Sequence, residues 1–147
     1  MFAVIVNPVS GGGEAVRLAI RISERIAAMG QESRRFETSG DGDAARQTRA
    51  AVEAGCEAVV CIGGDGTIIH TAKLAASLGR PILGVNAGTL GFTAGVERPQ
   101  LALLANPVKG EYREERRLLL PVELSPGGET RGLFAIHHPG LPGGTAT

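Results

Sequence analysis

Ala58-Val59-Val60-Cys61-Ile62-Gly63-Gly64-Asp65-Gly66-Thr67 is the stretch on which the reading of this chain turns. Five apolar residues end in three glycines around one carboxylate, and a helix-like segment from Ile68 to Leu78 follows. A short apolar run bounded by glycine reads as a buried strand. The glycines let the backbone turn sharply and approach a ligand closely while Asp65 is held at the strand's mouth. Two plainer readings stand beside this one: a helix-cap aspartate, or a turn residue. A cap does not require glycine on both sides, whereas backbone approach to a phosphate does. Thr67 also opens a helix whose free N–H groups attract anions. The context therefore favours catalysis or phosphate binding at Asp65.

The same strand–loop–helix pattern recurs on either side. Residues 2–6 form a β-favouring run that ends in Asn7-Pro8-Val9-Ser10-Gly11-Gly12-Gly13. Ala15, Leu18, Ile22, Ile26 and Met29 then recur at helical spacing until Gly30. The Ser10–Gly13 loop is a second candidate phosphate cradle, although no Gly-Lys-Ser/Thr follows as in a Walker A loop, and by itself it does not decide. Residues 32–38 suggest a more exposed strand, and Asp43 a cap for a helix through Val52 closed by Gly55. Ile82–Val85 is a fourth strand, opening into Asn86-Ala87-Gly88-Thr89-Leu90-Gly91-Phe92. Apolar strands alternating with helices predict a three-layer, Rossmann-like α/β domain over residues 1–110, with a parallel sheet covered on both faces and its site at the strands' carboxyl ends. All three glycine loops fall at that edge. His70, expected in the first turn of the helix after Asp65, is either a ligand contact or structural. Phe92 either flanks a purine ring or seals the core.

Beyond Val96 the character changes. Pro99–Leu104 reads as a short helix ended by Asn106-Pro107-Val108-Lys109-Gly110, and Glu111–Arg117 as a solvated strand or loop face. Leu118–Leu124 and Thr130–Ile136 read as two strands around the turn Ser125-Pro126-Gly127-Gly128, the first hairpin of an incomplete β-rich domain over 111–136. Residues 137–147 carry no periodic apolar pattern and read as an aberrant, disordered tail.

Composition bounds the function. Of 147 residues, 43% are hydrophobic, enough for a core, and the 15 basic residues balance the 15 acidic ones, so no basic field attracts nucleic acid or an anionic membrane. Aromatics at 3% argue against base-stacking surfaces. Glycine, at 22 residues, is about twice its ordinary share of roughly 7% and clusters at the ends of apolar runs, as backbone loops that wrap a ligand would. Cys56 and Cys61 lack neighbouring ligand residues and read as small buried hydrophobes, and His137 and His138 as tail residues. No residue is assigned as a metal ligand. No run reaches the ~18 apolar residues of a membrane span, and the N-terminus has no charged n-region, so a cytoplasmic setting is expected.

Taken together, Asn7-Pro8 with Ser10-Gly-Gly-Gly13, Gly63-Gly-Asp-Gly-Thr67, Gly84-Val-Asn86-Ala-Gly88-Thr-Leu90-Gly-Phe92 and Tyr112-Arg-Glu-Glu-Arg116-Arg-Leu-Leu-Leu120 resemble the N-terminal half of a bacterial NAD kinase, over residues 2–135. Diacylglycerol kinases, sphingosine kinases and phosphofructokinases carry related Gly-Gly-Asp-Gly-Thr versions. The Leu90-Gly-Phe92 block and the Glu-Arg-Arg-Leu-Leu strand favour NAD kinase, whereas lipid kinases usually have Gly-Thr-Gly-Asn where this chain has Gly88-Thr-Leu-Gly91. The resemblance implies transfer of the ATP γ-phosphoryl group to the 2′-hydroxyl of the adenosine ribose of NAD, giving NADP, with Mg²⁺ or another divalent cation assisting. It makes Asp65 the proton acceptor. Asn7, Ser10, Gly11, Gly63, Gly64, Gly66, Thr67, His70 and Asn86 become nucleotide-binding candidates, and Phe92 the aromatic beside the NAD adenine. It further implies homo-oligomers in full-length members.

The likeness stops after Leu133-Phe134-Ala135. There the family carries an Asn-Glu or Asn-Asp pair that grips NAD, followed by a β-rich domain, and this chain reads Ile136-His137-His138-Pro139-Gly140. The expectation is a truncated or frameshifted product that binds NAD poorly. Two alternatives remain: a lipid kinase of the same superfamily, and a non-catalytic nucleotide-binding fragment that associates with full-length subunits.

Overall fold

Strand β1 (Phe2–Val6) lies at the centre of a four-stranded parallel sheet in the computed structural model, which describes residues 1–40, 43–89, 93–115, 119–124 and 131–136. The other strands are β2 (Ser33–Glu37), β3 (Ala58–Gly63) and β4 (Ile82–Asn86), in the order β2-β1-β3-β4. Val4 stands opposite Arg35 on one side and Val60 on the other. Both faces of β1 are covered, which is why it reads as an unbroken apolar run rather than an alternation.

Alternate residues divide the core. Val4, Val6, Val60 and Ile62 pack with Ala15, Leu18, Ala19, Ile22 and Ile26 of helix α1 (Glu14–Ala28) on one face. Ala3, Ile5 and Val59 pack on the other with Ala51 of α2 (Asp43–Glu53) and Ala75 of α3 (Asp65–Ser77). Residues Met1–Arg113 thus form a three-layer α/β sandwich. Each fully buried Leu or Ile of α1 contributes about 1.5–3 kcal/mol, and their spacing of three and four residues is what fixes that helix's orientation.

The sheet edges are handled differently. On β2 only Phe36 is buried; Arg35 pairs with Glu37 at 3.3 Å, and the Arg34 guanidinium lies 5.5 Å from the Phe36 ring centre. Charge on an edge strand discourages pairing with another chain. On β4 the returning chain covers the edge, with Val85 bridged to Val96 and Gly95 N–H donating to Gly84 O at 2.9 Å.

Three boundaries differ from the sequence expectation. Helix α3 begins at Asp65, not Ile68, so Gly64 holds the cap position and the glycine-rich motif becomes the helix's first turn. Asp43 is the first residue of α2, and its carboxylate reaches back to Ser39, accepting from the backbone N–H at 2.7 Å and from the hydroxyl at 2.9 Å. The Arg46 guanidinium at 2.6 Å, with the Ser39 N–H second, holds Asp43 well below the usual carboxylate range. Finally, the short helix expected to stop at Leu104 runs on: a 3₁₀ turn over Arg98–Leu104 continues into α4 (Ala105–Val108), which includes Pro107. Proline is accommodated there because the first turn of a helix leaves its N–H groups unpaired anyway.

Residues 111–115 are irregular and exposed. The first compact unit spans Met1–Arg113, and a second begins at Glu114. Within the second, β5 (Leu119–Leu124) and β6 (Arg131–Ile136) pair antiparallel, from Leu119 opposite Ile136 to Leu124 opposite Arg131. The expected turn at 125–128 and the tail at 137–147 lie outside the described residues.

Candidate active site

The chain leaves β1 to one side through α1 and returns to the other side through α2, so the strand order reverses between β1 and β3. At such a switch point the two carboxyl-end loops part in opposite directions and leave a crevice. Asn7 stitches its floor. Its backbone N–H donates to Ile62 O at 3.0 Å, and its Nδ2 donates to Thr67 Oγ1 at 3.1 Å. Its Oδ1 accepts from Val9 N–H at 3.3 Å and its carbonyl from Ser10 N–H at 3.1 Å. The loop after β1 is therefore held against the first turn of α3.

Ser10–Gly13 then makes one tight turn with Gly11 at φ +62°. A Cβ at Gly11 would lie 2.2 Å from Ala87 O, so this loop rests directly on the one that follows β4. That second loop is organised by Asn86, which is only 4% exposed. Its Oδ1 accepts from Gly88 N–H at 2.8 Å and its Nδ2 donates to Glu97 Oε2 at 3.0 Å. Arg98 Nη2 donates to Ala87 O at 2.8 Å and Gly88 O at 3.3 Å. Asn86 is thus engaged in shaping the loop.

Asp65 stands half-buried at the start of α3, where Gly64 supplies no side-chain cap. First-turn N–H groups of such a helix, together with its dipole, favour an anion at this end. The Asp65 Oδ1 accepts from Thr93 N–H at 2.9 Å and from Thr93 Oγ1 at 2.7 Å. The three glycines around Asp65 differ in surroundings. A Cβ at Gly63 would meet Thr67 Cβ at 2.8 Å, whereas one at Gly64 or at the exposed Gly66 would have nothing within 4 Å; across the crevice a Cβ at Gly88 would lie 3.0 Å from Gly64 Cα.

The structure brings Asn7, Ser10, Gly11, Gly63, Gly64, Asp65, Gly66, Thr67 and Asn86 to one sheet edge. His70 is not in the first helical turn as expected: with α3 starting at Asp65 it falls in the second, about 7.5 Å further along the axis, exposed and with no hydrogen-bond partner among the described residues. Phe92 lies outside the described residues. Cys61 is sealed in the core, its thiol donating to Thr71 Oγ1 at 3.3 Å and pushed up by burial to about 12, and burial also raises Cys56. Thr93, Glu97 and Arg98 were not among the sequence candidates. The only available signal was a hydroxyl and a guanidinium shortly after the Leu90-Gly91-Phe92 block, on the segment leaving the same edge.

A parallel sheet wound both ways from β1, with glycine loops gathered over its switch point, defines a doubly wound α/β fold, in which ligand sites generally lie at that edge. The chain belongs to the ATP-NAD kinase family: residues 4–112 match the family model described as the ATP-NAD kinase N-terminal domain. Relatives named NAD kinase include that of Nocardia farcinica, 37% identical over 112 residues, which make up 69% of this chain and 35% of that protein. Those of Mycobacterium bovis and Nitrosococcus oceani are 45% and 44% identical over 50% and 52% of this chain, and 24% and 27% of their own lengths. The chain thus spans about a third or less of these relatives. Among solved structures, a diacylglycerol kinase from Bacillus anthracis str. Sterne shares the fold at a TM-score of 0.57 and 22% identity, over 83% of this chain and 45% of that one.

Proposed function

We propose that this chain carries the nucleotide-binding and base-bearing half of an NAD kinase site, in which the ATP γ-phosphoryl group passes to the 2′-hydroxyl of the adenosine ribose of NAD and yields NADP. The ribose oxygen forms a bond to the γ-phosphorus, the bond from that phosphorus to the β,γ-bridging oxygen breaks, ADP leaves with the electron pair, and the hydroxyl proton passes to Asp65. The observation that carries this reading is the position of Asp65: a half-buried carboxylate at the start of α3, over the β1/β3 switch point, inside the segment matched by the family. Phosphoryl transfer depends on positioning and charge neutralisation, and one carboxylate aimed at the acceptor hydroxyl is the protein chemistry it needs.

In the same reading Asn7, Ser10 and Gly11 line the phosphates from the β1 side, and Gly63, Gly64, Gly66 and Thr67 from the α3 side. His70 and Asn86 would contact the nucleotides, and Phe92 is the aromatic expected beside the NAD adenine. No group of three or more His, Cys, Asp or Glu side chains stands together among the described residues. In this reading a divalent cation would enter with the triphosphate, with Asp65 the nearby carboxylate. When bound, the cation neutralises charge on the β- and γ-oxygens. A cytoplasmic place in NADP biosynthesis belongs to the same proposal, with homo-oligomers expected of full-length members; no helix among the described residues is long and apolar enough to cross a membrane.

The test is NADP formation from ATP and NAD by this chain. Asp65→Asn is expected to lower turnover by about 10²–10⁴-fold, the usual contribution of a general base. Turnover surviving that change would overturn the role of Asp65. Phosphate incorporation into diacylglycerol in place of NAD would instead support the lipid-kinase reading, with whose Gly-Thr-Gly-Asn segment this chain shares only the Gly88-Thr89 pair. Saturable nucleotide binding without turnover would favour a binding module.

A further inference from the structure

Asp65 is held by a residue of another loop. An aspartate at the start of a helix has two freely rotating side-chain torsions, and an exposed one samples several rotamers. Here a single distant residue supplies two donors to one carboxylate oxygen: Thr93 N–H at 2.9 Å and Thr93 Oγ1 at 2.7 Å, both to Asp65 Oδ1. Donors converging from a fixed backbone N–H and from the hydroxyl of the same residue restrict both the position of that oxygen and the plane of the carboxyl group. Hydrogen bonds to an ionised group are also the short, strong ones.

Thr93 can act in this way because it is itself anchored. The chain that follows it is tied to β4 within two residues, by Gly95 N–H to Gly84 O at 2.9 Å, Val96 N–H to Gly84 O at 3.1 Å and Asn86 N–H to Val96 O at 3.0 Å. A Cβ at Gly84 would lie 3.3 Å from Ala94 Cα, so the backbone beside Thr93 runs close against the strand. Arg98 then clasps Ala87 O and Gly88 O. The position of Thr93 is thereby referred to the sheet.

We propose that Thr93 is the positioning residue for Asp65: its hydroxyl and N–H orient the carboxylate toward the acceptor hydroxyl, so that the return from β4, and not the α3 helix alone, sets the alignment of the base. This rests on the reading of Asp65 as proton acceptor, yet the Thr93–Asp65 coupling can be measured without turnover.

The experiment uses the full chain and three variants: Thr93→Val, which keeps the shape and branching but lacks the hydroxyl; Thr93→Ser, which restores it; and Thr93→Ala, a second hydroxyl-free variant should valine disturb the fold. With ¹³C-labelled aspartate at fixed neutral pH, assigned through Asp65→Asn, the Asp65 carboxyl resonance is expected to move in Thr93→Val and Thr93→Ala and to stay near its original position in Thr93→Ser. In the NADP assay the hydroxyl-free variants are expected to lose about tenfold in kcat, the loss of one hydrogen bond to a charged group. KM for ATP and NAD stays unchanged, and serine recovers the rate. An Asp65 resonance that is unmoved in both hydroxyl-free variants, or moved equally in Thr93→Ser, would overturn the proposal. So would a shifted resonance with unchanged kcat in an active chain. Absence of turnover in the wild type would count against the proposed reaction while the resonance still decides the coupling.

Discussion

Two glycine loops meet in this crevice with nearly the same composition, and glycine is present in them for different reasons. After β1, Gly11, Gly12 and Gly13 take φ values of +62°, +65° and +92°, a backbone that other L-residues rarely adopt. After β3, none of Gly63, Gly64 and Gly66 has positive φ, and Gly64 is ordinary extended chain at φ −82°, ψ 175°. There the missing side chain provides clearance at Gly63, which lets Thr67 close over the end of β3, whereas a Cβ at Gly64 would have nothing within 4 Å. The first loop needs glycine for its conformation and the second for its space. A run of glycines in a sequence is therefore two physical hypotheses, and alanine separates them.

The largest effect is expected at Gly11, where both demands coincide. Gly11→Ala forces a Cβ to within 2.2 Å of Ala87 O at φ +62°. A left-handed conformation costs an alanine roughly 1–2 kcal/mol, and displacing the β4 loop adds a packing cost of about 1–3 kcal/mol, so a total loss of about 3 kcal/mol is expected in denaturant titration. Gly12→Ala is the control, with φ +65° and open space around it, and is expected to show the conformational cost alone. Equal losses at the two positions would mean that the loops after β1 and β4 do not rest on one another.

Gly63→Ala comes next. Its backbone is undemanding, but the added methyl would meet Thr67 Cβ at 2.8 Å and Oγ1 at 3.0 Å. The first turn of α3 must shift, which costs about 1–2 kcal/mol and weakens the bond from Asn7 Nδ2 to Thr67 Oγ1. The same variant is expected to lose nucleotide affinity, because Asp65 rides on that turn. Unchanged unfolding midpoints in Gly63→Ala would show that this glycine is free of internal contacts.

These positions also show how far the sequence could be read. The strands, α1 and the sheet edge that carries the loops follow from local signals: the apolar run of β1, the three- and four-residue spacing of Leu18, Ile22 and Ile26, and the glycines at 30, 55 and 79 after each helix. The start of α3 was misplaced because Gly-Gly-Asp-Gly has low helix propensity, and it is the docking of Thr67 against Asn7, sixty residues away in sequence, that draws those residues into the helix. Pro107 misled for a related reason, since its penalty applies to a helix interior and here it falls in a first turn. The place of Asp65 at the carboxyl end of a strand was legible. Its partner Thr93 was not, because a contact across 28 residues leaves no periodicity or spacing in the chain. Asn86 was legible as special, and its amide builds the β4 loop.

The smallest effect on stability is expected at Gly66, and it bears most directly on function. Gly66 is the second residue of α3, exposed, at ordinary helical φ, and a Cβ there has nothing within 4 Å. Neither conformation nor internal clearance requires glycine at this position. Alanine should raise stability by a few tenths to about 1 kcal/mol, because glycine loses more conformational freedom on entering a helix. If the open space beside Asp65 is where a phosphate comes close to the first-turn N–H groups, Gly66→Ala should nonetheless bind ATP and NAD at least about tenfold more weakly, the cost of a methyl group intruding on a close backbone contact. Unfolding and nucleotide titrations on one preparation then give changes of opposite sign, which no loss of fold can imitate. A stabilised variant with undiminished nucleotide binding would remove Gly66 from the site and leave the glycines after β3 with internal packing as their only demonstrated purpose.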